Sequence, residues 1–402
     1  MSSSGLSKAR LGRLREAMSG YVERGSVPGI VTAVSRRGEV RVETIGTKAV
    51  DGDPIERDTI FRIASMTKPI VAVAAMILVE ECRLRLDDPV DELLPELADR
   101  KVLKRLDGPL EETVPAERPI SLRDLLTLRM GLGYILESGA SGYPILKAAN
   151  KNQFLLGPPK PQTLPEPDEW MRRLGTLPLM HQPGEMWMYD IAMDVLGVLI
   201  ARAADQPLET FLRERIFEPL GMKDTAFSVP AEKLGRLATS YDADSKTGAL
   251  EAYDSADGKS QWSRPPAFPL ASGGLVSTVD DFLAFGLMML NRGRHGSERI
   301  LSRPSVELMT CDQLTPEQRE ANPVFLGSNR GWGLGLSMFI RRDDMSAVPG
   351  RFGWEGGLGT SWASDPGEDM VAILLTQVAW TSPDGPKLYS DFWTSAYQAI
   401  DD

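Results

Sequence analysis

The stretch Ile60-Phe61-Arg62-Ile63-Ala64-Ser65-Met66-Thr67-Lys68-Pro69-Ile70 sets a serine three residues ahead of a lysine and runs straight into an apolar, helix-like segment. Positions i and i+3 share one face of a helix, so the Ser65 hydroxyl and the Lys68 amine meet at its first turn. That turn also presents free backbone N–H groups and the positive end of the helix dipole. A nucleophile, a candidate base and a donor for a developing oxyanion are thereby gathered in one place. The competing reading is a capping serine followed by a solvated lysine, the commoner use of serine at a helix start. The S-x-x-K spacing occurs once in the chain, and the surrounding sequence has to decide.

The chain has 402 residues, 42% hydrophobic and 25% charged, which is ordinary globular composition. That length suffices for one large domain or two intertwined ones, with a core that needs no disulfide staples. Cys82 and Cys311 fit neither a metal spacing nor a disulfide framework. They suit a reducing compartment, and each reads as a buried apolar thiol. The net charge of −11, from 45 basic and 56 acidic residues without a basic run, argues against a nucleic-acid partner. Met1-Ser2-Ser3-Ser4-Gly5 has no apolar signal core. The longest apolar run, Pro69 to Val79, falls short of the about 20 residues of a membrane span. The expectation is a soluble, cytoplasmic protein with no membrane partner; these patterns are silent on oligomeric state.

His181 and His295 are the only histidines, and both fall in turns. No G-x-S-x-G elbow accompanies them, and no H-E-x-x-H zinc motif is present. A serine nucleophile here works with a base other than histidine, and neither a metal nor a cofactor is expected.

Along the chain, Leu6 to Val22 has helical periodicity, Ile30 to Val34 reads as a buried strand, and Val40 to Gly46 as its hairpin partner. Val71 to Glu81 continues the helix behind Ser65. Ser121 and Asp124 have capping-box spacing at the next helix start. Leu136 to Pro167 and Thr239 to Pro266 read as loops of the kind that shape a binding mouth. Between them, helices are expected over Ile191 to Ala204 and Leu208 to Phe217. Ser277 or Thr278 caps a helix from Val279 to Leu290. Gly331 to Met338 reads as one strand, Ser361 to Ser364 and Met370 to Thr376 as two more, and Leu388 to Ile400 as a C-terminal helix. Strands at both ends with helices between predict an α+β fold: an antiparallel sheet flanked by helices. Residues 1–90 and 270–402 would form the sheet domain and 91–269 an inserted, mainly helical one, with the active site between them.

Several phrases, in order, resemble the serine β-lactamase-like hydrolases, which include class C β-lactamases, DD-peptidases, family VIII carboxylesterases and some acyltransferases. They are Phe61 through Lys68, Ser121 through Thr127, Pro183-Gly184 through Tyr189, Pro219-Leu220-Gly221-Met222, and Gly273 through Thr278. The resemblance implies a β-lactamase/transpeptidase-like fold, Ser65 as the acylated nucleophile with Lys68 beside it, and Tyr189 as the motif tyrosine. It also implies a late strand at Trp354-Glu355-Gly356-Gly357, with the oxyanion hole formed by the Ser65 and Gly357 N–H groups. Serine needs an adjacent base, and Lys68 or Tyr189 supplies one only if the site lowers its pKa. The pair would share one proton, which belongs to neither residue alone.

Two departures bear on substrate. β-Lactamases of this kind usually carry asparagine two residues after the tyrosine, where this chain has Ile191. They usually carry lysine or histidine at the start of the third motif, where this chain has Trp354 followed by Glu355. Trp-x-Gly at that place is similar to the family VIII carboxylesterases and implies a neutral, fairly apolar ester as the small-molecule substrate. Trp187, Trp354 and Tyr134, with Ile191 and Gly356, are candidates for the substrate pocket. The same acyl-enzyme would equally serve a β-lactamase, a DD-peptidase or amide hydrolase, or an acyltransferase. A binding module that kept the fold is the non-catalytic alternative.

Overall fold

The structure is a computed structural model that describes residues 5–135, 140–154, 157–244, 246–381 and 385–402. Its centre is a seven-stranded sheet in which every neighbouring pair is antiparallel. From one edge the strands run Arg330–Trp332, Ser337–Phe339, Phe352–Gly356, Thr360–Asp365, Met370–Leu375, Gly29–Arg36 and Glu39–Gly46. The N-terminal hairpin therefore closes onto the last strand of the chain, with Val31 opposite Leu375 and Arg36 opposite Met370.

Alternation decides which face each side chain serves. Ile30 and Val34, with Met370, Ala372 and Leu374, point to one face and pack under two helices, Lys8–Glu23 and Lys387–Gln398. Val31 and Ala33, with Val371, Ile373 and Leu375, point to the other face and join the large central core. Both faces are covered, so all eight residues of Gly29–Arg36 are buried, the polar Thr32, Ser35 and Arg36 included. The central core continues through Thr67–Glu80, Ile191–Ala204 and Val279–Leu290 without a break. The mixed α+β architecture is thus the expected one.

Four expectations need correction. Within the first expected loop region, Pro144–Lys151 is a helix that buries Ile145, Leu146 and Ala149. It has only eight residues, too few for a helical period to stand out. Within the second, Ser240–Ala243 and Leu250–Asp254 form an antiparallel hairpin. Its outer positions are polar, and Tyr241 is tied to the main sheet's end through the backbone of Gln377 and Ala379. Residues 136–139, 155–156 and 245 of these regions lie outside the described residues. Gly331 to Met338 is two strands, because the chain reverses at Gly335 (φ +80°). A Cβ there would run into Ala72 of the helix behind Ser65, so only glycine permits that approach. The fourth correction concerns the cysteines: Cys82 and Cys311 are both free thiols, and both are exposed.

Candidate active site

Ser65 does not cap a helix. It lies inside a 3₁₀ turn, Ala64–Met66, which feeds directly into the Thr67–Glu80 helix. The residue before it, Ala64, has φ +43°, a conformation costly for a residue with a side chain. The surroundings hold that turn in place. Ile63 donates its N–H to the Leu275 carbonyl at 3.0 Å, and the Ile63 carbonyl accepts from the Thr360 hydroxyl at 3.1 Å. Gly356 allows the strand end to approach so closely, since a Cβ there would strike the Ile63 carbonyl and the Thr360 hydroxyl. The Ser65 turn is thus clamped against the strand that carries Trp354.

Lys68 is fully buried, which removes the solvated-lysine reading. Its Nζ lies 2.9 Å from Ser65 Oγ and 2.6 Å from the Ser272 carbonyl oxygen, and it forms an ion pair with Asp190. It also stands 4.4 Å from the centre of the Tyr189 ring. The Tyr189 hydroxyl interacts with Ser65 and accepts a 2.7 Å hydrogen bond from Trp354 Nε1. Rings enclose Tyr189: Phe325 stacks on it at 4.5 Å, Trp187 at 5.6 Å, and Tyr134 meets it edge-on at 5.8 Å. The tyrosine is thereby fixed in one orientation.

The electrostatics of the site lower neither pKa. Burial lowers that of Lys68, but its contacts with Asp190 and Tyr189 outweigh it and the net shift is upward. Burial and Asp190 raise that of Tyr189 more than the Lys68 ammonium lowers it. Asp194, one turn along the Ile191–Ala204 helix, is pushed up to about 7 by burial and by the nearby Asp190 charge. Both shifts favour the protonated forms, an ammonium beside a neutral phenol.

Ser65 opens on two cavities. The smaller, about 190 Å³, is lined by Tyr134, Pro159, Leu270, Leu358 and Trp380 among others. The larger, about 370 Å³, is lined by Phe325, Arg330, Trp354, Glu355 and Trp380. Tyr189 and Gly357 border both. Of the residues expected at the site, Ser65, Lys68, Tyr189, Tyr134, Trp354 and Gly357 thus come together. Ile191 is buried and lines neither cavity, and Gly356 serves packing, not the pocket wall. Trp187 lines a third cavity of about 260 Å³ that touches Tyr189 and Phe325 but not Ser65. Sequence reasoning missed Asp190, Ser272, Phe325 and Trp380. It also missed Asp194, although a lone acid in an otherwise apolar first half of a helix was a visible signal. Among the described residues no cluster of potential metal ligands occurs.

The β-lactamase family matches residues 14–389, nearly the whole chain. The chain belongs to the β-lactamase family of serine hydrolases. An uncharacterized protein of Mycobacterium tuberculosis is 41% identical to this family member over 366 residues, 88% of this chain and 86% of that protein. Esterase EstB of Burkholderia gladioli is 32% identical over 386 residues, covering 89% of this chain and 88% of EstB. Among solved structures, EstCE1, described as a hydrolase with promiscuous acyltransferase activity, superposes with a TM-score of 0.79. It is 24% identical and covers 97% of this chain and 99% of its own, which bears on the fold alone.

Proposed function

We propose that this β-lactamase-family member is a carboxylesterase of the family VIII type, acting on neutral, fairly apolar esters through a covalent acyl-enzyme on Ser65. The observation that carries this reading is Trp354. At the place where a cation would meet a substrate carboxylate, an indole N–H is committed to the Tyr189 hydroxyl and its ring forms cavity wall. The adjacent Glu355 is held by Arg330 through two hydrogen bonds of 2.9 Å, so the nearest guanidinium is already neutralised. EstB and a 28% identical lovastatin esterase of Penicillium rubens, both esterases by name, lend support.

In this mechanism Ser65 Oγ attacks the ester carbonyl while its proton passes to the Lys68/Tyr189 pair. The N–H groups of Ser65 and Gly357 take the oxyanion, each donor of this type being worth about 10²–10³ in rate. The proton then goes to the departing alkoxide, and water releases the acid by the same steps in reverse order. Acyl transfer is the second reading, favoured by two cavities meeting at one nucleophile, where an alcohol could replace water. The exposed free thiols suit the reducing cytoplasm proposed for the chain.

The test is turnover of a short-chain p-nitrophenyl ester beside a chromogenic cephalosporin. Ester turnover well above cephalosporin turnover is the expected result; the reverse ranking would refute the esterase reading. Inactivity toward both would favour the binding module.

A further inference from the structure

Lys68 Nζ has three oxygen partners, from Ser65, Ser272 and Asp190. Both protonation states fit them. An ammonium donates to all three; an amine donates to the Ser272 carbonyl and the Asp190 carboxylate and accepts the Ser65 O–H. Only the second state removes a proton from serine. The choice between them is a matter of charge, and the one carboxylate in contact with Nζ is Asp190.

We propose that Asp190 is a positioning residue of the reaction, one that anchors Lys68 and sets the pH at which the Lys68/Tyr189 pair becomes competent to activate Ser65. This inference rests on the serine-hydrolase reading of Ser65 given above.

The carboxylate is gripped on both sides. One oxygen pairs with Lys68, and the other accepts the Tyr134 hydroxyl at 3.1 Å. The Tyr134 N–H in turn donates to the Tyr189 carbonyl at 2.6 Å, locking the segment that carries both residues. Asp190 has φ +151°, outside the range that a residue with a side chain normally adopts. Such strain persists only where the surroundings over-determine it, and here it turns the carboxylate onto the lysine instead of leaving it as a helix cap. Asp190 makes no capping bond to its own helix.

The titratable groups around it are Lys68, Tyr189, Tyr134 and Asp194. Asp194 reaches the lysine indirectly: its carboxylate accepts the Ser272 N–H at 2.8 Å, and the Ser272 carbonyl accepts from Lys68. Burial and the nearby Asp190 charge push the Asp194 carboxyl up to about 7, and Asp190 is the carboxylate in direct contact with the lysine. The sign follows. A negative charge beside the pair favours its protonated, inactive form, so its removal shifts the acid limb of activity to lower pH. Loss of the anchor lowers the plateau rate at the same time.

The experiment is the pH dependence of Ser65 labelling by a fluorophosphonate, with ester turnover in parallel, for the wild type, Asp190→Asn and Asp190→Glu. For Asp190→Asn the expected result is a lower plateau and an acid limb moved down by about one to three pH units, the size of a neighbouring-charge effect. Asp190→Glu, which keeps the charge, should return the limb toward its original position. An Asp190→Asn chain that labels more slowly with an unmoved limb would show a merely structural role and overturn the proposal. Should Asp190→Asn fail to fold, Asp190→Gly removes the same charge, suits the backbone at φ +151° and carries the same expectation. A wild-type chain labelled on Ser65 but inert to esters would refute the esterase reading alone. A wild type that no pH renders reactive would refute both.

Discussion

At the level of single residues, the site is a set of polar contacts converging on one tyrosine and one lysine. Trp354 is the case in point. Its indole N–H stabilises the Tyr189 oxygen, and more so when that oxygen carries negative charge. Trp354→Phe keeps an aromatic side chain, smaller by one ring, and removes the donor. A hydrogen bond of this kind contributes about 0.5–1.5 kcal/mol, so kcat/KM should fall about two- to tenfold, with far-UV circular dichroism unchanged. An unchanged kcat/KM would mean that the bond has no part in the reaction. Ser65, Lys68 and Tyr189 stood out in the sequence because spacing and order marked them. Asp190 did not, since its role depends on a backbone angle of +151° that no residue pattern announces.

At the level of elements, the short helix Pro323–Leu326 is the piece whose place was least visible in advance. It brings Phe325 onto Tyr189, between the larger Ser65 cavity and the third cavity behind it. Both cavities share Pro323, Val324, Phe325 and Tyr189 as walls. Phe325→Ala should join about 370 and 260 Å³ of space. The measurable outcome is a shift of preference among p-nitrophenyl esters toward longer acyl chains, read as the ratio of kcat/KM for long and short chains. A ratio that stays at its wild-type value would show that Phe325 does not bound the substrate site. Elsewhere the elements were legible where periodicity was long or chemistry specific. The capping box at Ser121 and Asp124 is present with both of its bonds, and Thr278 caps the Val279–Leu290 helix. Elements shorter than two or three turns, such as Pro144–Lys151, carry too few apolar positions to be read, and the break at Gly335 depends on a distant helix.

At the level of the whole molecule, one continuous core joins the sheet built from both termini to the helices between them. The strands near both termini were legible from apolar, β-branched stretches such as Met370–Leu375; that the core passes unbroken between the regions was not, because it is a matter of packing. That core also holds Asp194, whose carboxyl is pushed up to about 7. An unfolded aspartate titrates near pH 3.9, so the folded chain retains a proton that the unfolded chain releases across the interval. This contribution to stability is therefore complete at acid pH and is lost as pH rises through the folded value. Asp194→Asn keeps the shape and an oxygen for the Ser272 N–H. Its Tm should decline less than that of the wild type as pH rises from about 4 to about 8. Parallel Tm profiles would contradict the assignment.

The central claim, that Ser65 carries the acyl group of an ester, has a direct measurement. The protein is mixed with p-nitrophenyl butyrate, quenched in acid during turnover and mapped by peptide mass spectrometry. The predicted result is a butyryl group on the peptide containing Ser65, together with its absence from Ser65→Ala and a loss of turnover in that variant of at least about 10³-fold. An acyl group on any other residue, or full turnover by Ser65→Ala, would contradict it.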